Sequence, residues 1–253
     1  METLEKLSDG IKAGSLCGLG QTAPNPVLTS LKYFRNEYED HVRLKKCVST
    51  VCKEIISSPC QHTCPIGTEA PVYIANIASG RYEEAWQNIR KDNPLPSVCG
   101  RVCHHPCEAK CQAGKWGDPI AIRGLKRFAT DYALDKDIYA GKETKRAVSD
   151  DAAVIGSGPT GLTAAYFLAE KGYGVTVFEA LPIAGGALAV CIPEYRLPMK
   201  ILAEDVGNIE RAGVRIELNV RIGKDVAFEE IRKRFRSVLI ATGCHKSKGL
   251  GIP

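Results

Sequence analysis

Short apolar runs separated by polar turns dominate the last hundred residues of the chain, and they predict strands that alternate with helices. The run Ala153–Ile155 indicates a buried parallel strand, Thr160–Lys171 the helix that follows it, and Val175–Phe178 a second strand. A glycine-rich turn lies between the first strand and the helix. This order of elements is typical of a parallel sheet whose strands are joined by crossover helices.

Helical spacing replaces this pattern in the rest of the chain. Apolar residues recur on one helix face between Val27 and Tyr38, and two longer helices are predicted over Val72–Arg90 and Ile120–Leu134. The polar, charged stretch Lys142–Asp151 indicates a linker. We therefore expect an α/β plus all-α fold class, with a helical segment over residues 1–46, a helical domain over 47–141 and an α/β domain over 150–253.

The charge and hydropathy of the chain exclude several functional classes. Among 253 residues, 34 Lys and Arg oppose 29 Asp and Glu, and the resulting +5 is spread along the chain, unlike the basic stripe of a nucleic-acid-binding protein. No apolar stretch approaches the roughly 20 residues of a membrane-spanning helix, and Met1–Lys6 lacks the apolar core of a secretory signal. We expect a cytoplasmic protein without membrane insertion or a nucleic-acid partner. No Ser-His-carboxylate or paired-acid arrangement stands out, which argues against a hydrolase.

The cysteines are concentrated in the predicted helical domain, where metal binding is a better explanation than disulfides in a reducing compartment. Eight thiolates can hold two four-iron clusters, and zinc is the alternative because His62, His104 and His105 lie nearby. Zinc is redox-silent, whereas iron-sulfur clusters would give a redox partner to the dinucleotide-binding fold that the glycine-rich turn predicts, so iron and sulfur are favoured. Eight of the eleven cysteines are the candidate ligands: Cys47, Cys52, Cys60, Cys64, Cys99, Cys103, Cys107 and Cys111.

The glycine-rich turn predicts dinucleotide binding. Gly156 allows a tight turn, Gly158 lets the backbone approach a pyrophosphate, and Gly161 lets the helix pack closely on the strand. Pro159 begins the helix, whose first amides carry a partial positive charge. Glu179 ends the second strand 18 residues beyond Gly161, where an acid accepts hydrogen bonds from ribose hydroxyls.

Several motifs together resemble the small, NADPH-oxidising subunit of bacterial glutamate synthase. The motifs are Cys60-Gln61-His62-Thr63-Cys64-Pro65, Asn93-Pro94-Leu95-Pro96, Cys99-Gly100-Arg101-Val102-Cys103, Cys107-Glu108-Ala109-Lys110-Cys111, Pro119-Ile120-Ala121-Ile122-Arg123 and the glycine turn. Similar modules are known in dihydropyrimidine dehydrogenase and in the bifurcating NADH-dependent ferredoxin:NADP oxidoreductase. The resemblance implies FAD at the glycine turn, in a Rossmann-like FAD-binding domain. It also adds Gly186, Arg196 and Gly243 to the candidate cofactor-binding residues.

The resemblance also implies how the cysteines divide between two [4Fe-4S] clusters. One cluster would take Cys47 and Cys52 with Cys60 and Cys111, and the other Cys64, Cys103 and Cys107 with an oxygen ligand from the following helix. The aligned helix position is Lys126, and a lysine ammonium cannot serve as that ligand. Cys99 or an unidentified group would have to complete the second cluster. The spacing of Cys47 and Cys52 also leaves a small zinc knuckle with His41 as an alternative.

The first segment resembles a different family. Residues 14–26 and 33–38 look like the C-terminal end of the NADH-binding flavoprotein subunit of complex I, in which the cysteine matching Cys17 is the last ligand of a four-iron cluster. The cysteine triplet that supplies the other three ligands has no counterpart here. Cys17 is therefore expected to be an orphan thiol or the remnant of a longer fusion. Cys191 and Cys244, beside apolar runs, are expected to be small buried residues.

These expectations combine into an electron-transfer module of an NAD(P)H-dependent iron-sulfur flavoprotein, an enzyme that acts together with other oxidoreductase subunits. The resembled family carries a second nucleotide domain, for NADPH, after the Ala241-Thr242-Gly243 motif. That domain is missing here, so we expect weak FAD retention and no activity from the chain alone. The alternative is a non-catalytic adaptor that is ordered by zinc or clusters and docks a larger oxidoreductase.

Overall fold

The computed structural model describes residues 1–44, 58–138 and 151–244. By contacts between residues, the chain divides into two compact units, residues 1–65 and 66–253. Cys47, Cys52 and nearly all of the predicted linker lie outside the described residues.

The first unit is helical. Its helices are α1 (Glu2–Gly14), α2 (Gly18–Thr22), α3 (Asn25–Glu39), the π-helical turn Asp40–Leu44 and α4 (Pro59–Thr63). The helix predicted between Val27 and Tyr38 is confirmed as α3, although Leu31 is its only fully buried residue. Arg35 on α3 pairs with Glu5 on α1 at 2.7 Å.

The first half of the second unit is also helical. Its elements are α5 (Ala70–Ala78), α6 (Tyr82–Asp92), α7 (Pro96–Val102), α8 (Pro106–Ala109), the 3₁₀ turn Gln112–Lys115 and α9 (Ile122–Asp135). Proline stands in the first turn of α5, α7 and α8, where its missing amide and fixed φ cost nothing. The helix predicted over Ile120–Leu134 is confirmed as α9.

The prediction of one continuous helix over Val72–Arg90 is wrong, because the chain turns between α5 and α6. Gly80 has a φ of +73°, a left-handed conformation that favours glycine. The Gly80 amide donates to the carbonyl of Ile77, and the Arg81 amide donates to the carbonyl of Asn76 at 2.8 Å. These two bonds form a Schellman motif, which satisfies the last carbonyls of α5 and ends the helix.

The second half of this unit alternates strands and helices. Its elements are β1 (Asp151–Ile155), α10 (Pro159–Glu170), β2 (Gly174–Phe178), α11 (Ala187–Val190), α12 (Met199–Arg211), β3 (Val214–Glu217), α13 (Phe228–Arg234) and β4 (Ser237–Ile240). The two strands and the helix predicted from the apolar runs are confirmed as β1, β2 and α10.

All strand pairs are parallel, and the sheet order is β3-β2-β1-β4. Successive strands are added on one side of β1 until the chain crosses back to place β4 on the other side. Alternate residues of β1 face opposite layers, so Val154 packs in the core with α10 and α12, while Ala153 packs with α13. The carboxyl ends of β1 and β4 therefore lie at the switch point of the sheet, where open α/β folds bind ligands.

Helix α7 packs into the core of the strand-containing half. Leu95 and Val98 share one buried cluster with β1, α10 and α12. On α12, the fully buried Asp205 accepts a hydrogen bond from the Val98 amide at 2.9 Å. Burial raises the pKa of Asp205 to about 7, although hydrogen bonds from the Val98 amide and from Ser97 act to lower the pKa. The segment carrying Cys99 is thus anchored to the α/β fold.

A guanidinium also joins the two halves of this unit. The Arg90 guanidinium on α6 lies 4.9 Å from the ring centroid of Tyr166 on α10 and 5.6 Å from that of Trp86. Its Nη2 donates to the carbonyl of Asn208 at 3.1 Å. In the part of the chain that is described, no helix is long and apolar enough to cross a membrane.

Candidate functional site

The turn after β1 is built so tightly that two of its glycines cannot carry a side chain. Gly156 has a φ of +106°, and a Cβ there would lie 2.4 Å from the carbonyl oxygen of Ala241. A Cβ on Gly161 would lie 2.0 Å from the carbonyl oxygen of Gly156. These contacts bring the first turn of α10 directly against the end of β1, as the sequence pattern predicts.

Gly158 is different, because it faces open space. It caps the N-terminus of α10 in an extended conformation, and a Cβ there would meet no atom within 4 Å. Gly186 approaches from the other side, where an added Cβ would lie 2.8 Å from the Cα of Gly158. The backbone of Gly158 is therefore exposed to whatever occupies the space in front of the helix.

That space is a cavity of about 600 Å³ at the carboxyl ends of β1, β2 and β4. Gly161 lies beneath the turn rather than in the cavity wall, and Arg196 is exposed outside it. The other six candidate cofactor-binding residues line the cavity: Gly156, Gly158, Pro159, Glu179, Gly186 and Gly243. A mostly apolar cleft with a glycine turn, helix amides and one carboxylate fits a dinucleotide.

Glu179 holds the shape of the glycine turn as well as lining the cavity. Its Oε2 accepts from the amide and hydroxyl of Ser157 at 2.9 and 2.5 Å, and its Oε1 accepts from the Leu181 amide at 2.8 Å. Burial raises the pKa of Glu179, but hydrogen bonds from Ser157, Leu181 and Ala180 outweigh burial and hold the pKa below its ordinary value. Sequence reasoning missed Ser157, which is fully buried.

Two further cysteines line the same cavity. Cys191 follows α11 and Cys244 follows β4, and both are exposed thiols in the cavity wall. The expectation that they are buried packing residues is therefore wrong. The apolar runs beside them are themselves largely exposed: α11 has no fully buried residue, and three of the four residues of β4 are exposed.

Four candidate metal ligands lie on one irregular segment of the second unit. Cys99 is inside α7, Cys103 ends it, Cys107 is in α8 and Cys111 precedes the 3₁₀ turn. His105 has a φ of +48° between α7 and α8, and its amide donates to the Sγ of Cys103 at 3.3 Å. Backbone amides directed at cysteine sulfurs are typical of iron-sulfur sites, because they stabilise thiolate charge.

Side chains at the start of α9 fasten this segment. The Arg123 amide donates to Oε1 of Glu108 at 2.8 Å, and the Arg123 guanidinium donates to the carbonyl of Cys103 at 2.9 Å. Both bonds join the cysteine motifs to the Pro119–Arg123 motif. They hold the chain between Cys103 and Cys111 against α9.

Cys60 and Cys64 belong to the first unit. Cys60 lies in α4, Cys64 directly follows that helix, and both are half-buried. The nine cysteines within residues 1–44, 58–138 and 151–244 are thiols rather than disulfides. Within those same ranges, no three His, Cys, Asp or Glu side chains form a group arranged to hold a metal ion. The division of the eight cysteines between clusters therefore stays a prediction.

The surroundings of Cys99 fit a buried anionic group. Burial raises the pKa of the Cys99 thiol, and Lys126 and Asn93 oppose that effect. Lys126 is itself only 9% exposed. A lysine beside a row of cysteine thiols suits the negative charge of a thiolate-ligated cluster.

Three family descriptions match successive parts of the chain. Residues 1–41 match the NADH-ubiquinone oxidoreductase-F iron-sulfur binding region. Residues 31–138 match dihydropyrimidine dehydrogenase domain II, 4Fe-4S cluster, and residues 154–191 match an NAD(P)-binding Rossmann-like domain. These matches confirm a helical iron-sulfur domain followed by a Rossmann-like domain.

Curated relatives combine the same parts in longer proteins. The NADP(+)-dependent formate dehydrogenase subunit beta of Moorella thermoacetica is 37% identical over 100% of this chain and 44% of its own length. The NADPH-Fe(3+) oxidoreductase subunit beta of Geobacter sulfurreducens is 38% identical over 100% of this chain and 38% of its own. The NAD-dependent dihydropyrimidine dehydrogenase subunit PreT of Escherichia coli O157:H7 is 38% identical over 78% of this chain and 47% of its own. The chain thus spans less than half the length of these relatives.

Proposed function

This chain is homologous to the 4Fe-4S, NAD(P)-binding subunits of oxidoreductases, and on that premise we propose that it is an electron-transfer module that binds FAD and two [4Fe-4S] clusters. FAD is assigned to the cavity at the ends of β1, β2 and β4. The clusters are assigned to the eight cysteines between residues 47 and 111.

The observation that carries the proposal is the shared core of the cysteine segment and the nucleotide fold. Leu95 and Val98, beside Cys99, are buried in the same cluster as Val154 and Leu162. Asp205 and Arg90 add polar bonds between the same two halves. Rigid packing of this kind is what a relay between two redox groups requires, because loosely held carriers would not keep a fixed separation.

The cavity residues have separate roles in holding the dinucleotide. The amides of the first turn of α10 and the open face of Gly158 bind the pyrophosphate. The Oε1 of Glu179 accepts one hydrogen bond from Leu181 and keeps a second acceptor site for a ribose hydroxyl. Ser157 fixes the position of that carboxylate.

When bound, FAD accepts hydride from NAD(P)H, and iron-sulfur clusters carry the electrons onward singly. We assign the oxidation of NAD(P)H to an assembly larger than this chain, because the chain spans less than half the length of these NAD(P)-dependent relatives. The resemblance to the small subunit of glutamate synthase supports other oxidoreductase subunits as partners. Thiolate-bound clusters suit a reducing compartment, which supports the cytoplasm.

Anaerobic reduction tests this proposal against the zinc-ordered adaptor. The chain is supplied with iron, sulfide and FAD, reduced with dithionite, and then mixed with an oxidised soluble dye. We expect a reduced-cluster electron paramagnetic resonance signal, flavin bleaching and dye reduction. Cys103→Ala should abolish the signal of one cluster, whereas Cys17→Ala, which changes an exposed thiol outside the candidate set, should change nothing. A protein that binds zinc without sulfide and reduces no dye would be the adaptor.

A further inference from the structure

Asn93 is a buried asparagine in the short segment between α6 and α7. It is 3% exposed and directly follows α6. Its Oδ1 accepts a hydrogen bond from the Leu95 amide at 3.2 Å, whereas its Nδ2 is buried and has no hydrogen-bond partner within residues 1–44, 58–138 and 151–244. Buried polar groups are normally paired, because an unpaired donor loses its bonds to water without compensation. The side-chain amide of Asn93 therefore needs an acceptor close by.

The hydrogen bond from Leu95 fixes the orientation of this side-chain amide. A backbone N–H donates to the oxygen of a carboxamide and not to its NH2 group, so the atom that faces the Leu95 amide is Oδ1 and Nδ2 is on the opposite arm. Leu95 is the N-cap residue of α7, and Pro96 begins that helix. The Asn93 amide is thus held against the first turn of α7, with Nδ2 directed away from the Leu95 amide.

Cys99 is the candidate cluster ligand at this end of α7. It lies one helical turn beyond Leu95, and its amide donates to the Leu95 carbonyl at 3.0 Å. Helical side chains lean toward the N-terminus and cover the preceding turn, so the Cys99 side chain is directed back toward the turn that Asn93 contacts. The competing acceptor beside α7 is Asp205, but its Oδ1 is also without a partner among the described residues, so it does not bond to Asn93.

We propose that Asn93 is a positioning residue of the iron-sulfur site, whose side-chain amide donates a hydrogen bond to the Cys99 sulfur of a bound cluster. The inference rests on the proposed function. Hydrogen bonds to ligand sulfurs stabilise the more negative, reduced state of a cluster, so this bond raises its reduction potential. The role also accounts for the Asn93-Pro94-Leu95-Pro96 motif, in which Pro96 begins α7 and Leu95 orients the Asn93 amide.

The test combines isotope labelling with two serine variants. The chain is produced with asparagine that carries the heavy isotope of nitrogen in its side chain, loaded with iron and sulfide, and reduced. Pulsed electron paramagnetic resonance then detects labelled nitrogen beside the reduced cluster. Asn93→Ser keeps an oxygen that accepts from the Leu95 amide but removes the NH2 group. Asn88→Ser is the matched control, because the Asn88 NH2 group donates to Glu69 at 2.9 Å.

We expect coupling to the labelled nitrogen in the wild type and in Asn88→Ser, and its loss in Asn93→Ser. At a fixed, mediator-poised potential, the ratio of reduced to oxidised cluster should fall about fivefold in Asn93→Ser, which is about 1 kcal/mol. The ratio in Asn88→Ser should stay within about twofold of the wild type. Iron and sulfide content is determined on the same samples.

The outcomes separate this inference from the function on which it rests. Coupling in the wild type together with loss of the cluster in Asn93→Ser, but not in Asn88→Ser, also supports the hydrogen bond. A reduced wild-type cluster without coupling to labelled nitrogen, coupling that persists in Asn93→Ser, or an equal fall of the ratio in Asn88→Ser would overturn the role of Asn93 and leave the electron-transfer function intact. A wild-type chain that binds no iron and sulfide would overturn both.

Discussion

Alanine substitutions at two glycines of the turn after β1 should affect different properties, folding stability at one and ligand binding at the other. In Gly161→Ala the new methyl group would lie 2.0 Å from the carbonyl oxygen of Gly156, inside a fully packed strand-helix contact. In Gly158→Ala the methyl group would enter open space at the cavity mouth. The first change therefore acts on folding and the second on the ligand.

The magnitudes follow from these contacts. Overpacking a core costs typically about 1–3 kcal/mol, and because the obstacle at Gly161 is rigid backbone we expect about 3 kcal/mol or more. Gly158 has an extended backbone that alanine adopts easily, so the loss is limited to a poorer helix N-cap, about 0.5–1 kcal/mol. If the pyrophosphate lies over Gly158, its methyl group should weaken FAD binding at least about tenfold, or about 1.4 kcal/mol.

Urea unfolding and titration with FAD, followed by flavin fluorescence, measure the two effects independently. We expect Gly158→Ala to unfold near the wild-type midpoint while binding FAD poorly, and Gly161→Ala to unfold at a much lower urea concentration. Unchanged FAD affinity in a folded Gly158→Ala variant would refute the placement of the pyrophosphate. Wild-type stability in Gly161→Ala would refute the close contact between α10 and β1.

Three further predictions concern the cavity and the core. Cys191 and Cys244 line the cavity, so bound FAD should protect both thiols from alkylation. In peptide mass mapping, the exposed Cys17 should be alkylated equally with and without FAD. If FAD changed the labelling of none of the three cysteines, the ligand would have to bind elsewhere. The folded pKa of Asp205 is about 7, above its ordinary value of 3.8, so its contribution to stability is complete below pH 3.8 and is lost as the pH rises to about 7. The urea midpoint of the wild type should therefore fall over that pH range, and Asp205→Asn should flatten the fall. A pH profile of the variant that runs parallel to that of the wild type would contradict this. Arg90→Ala should lower the free energy of unfolding by about 2–4 kcal/mol, because two cation-π contacts and one charged hydrogen bond are lost. Arg90→Lys should restore only part of that free energy. Full stability in Arg90→Ala would show that the packing between the two halves of the second unit does not depend on Arg90.

The strand-turn-helix pattern after residue 150 was predictable because local chemistry dictates it. Apolar runs specify β1 and β2, and glycine spacing specifies a turn in which Gly156 and Gly161 touch backbone. Helix α9 was equally clear from its apolar face. In contrast, the break between α5 and α6 was not predicted. Apolar spacing continues across Gly80, and a single glycine is tolerated inside many helices.

Features that depend on contacts between distant segments were not predictable from the sequence. The close approach of α7 and α9 at Gly100, where an added Cβ would lie 3.0 Å from the Cα of Arg127, is encoded by no local pattern. The exposure of Cys191 and Cys244 likewise depends on where the cavity opens. The sequence indicates no role for Ser157, which stands between two glycines, and only the fold shows that its amide and hydroxyl both donate to Glu179.

The most direct test of the central claim is the cofactor content of the anaerobically purified chain. Iron, acid-labile sulfide, zinc and flavin are measured on one preparation, together with an electron paramagnetic resonance spectrum after reduction. The account predicts about eight irons and about eight sulfides per chain, a reduced-cluster signal, little zinc, and flavin that binds when FAD is added. Stoichiometric zinc without sulfide would contradict it and would leave a structural adaptor in place of an electron carrier.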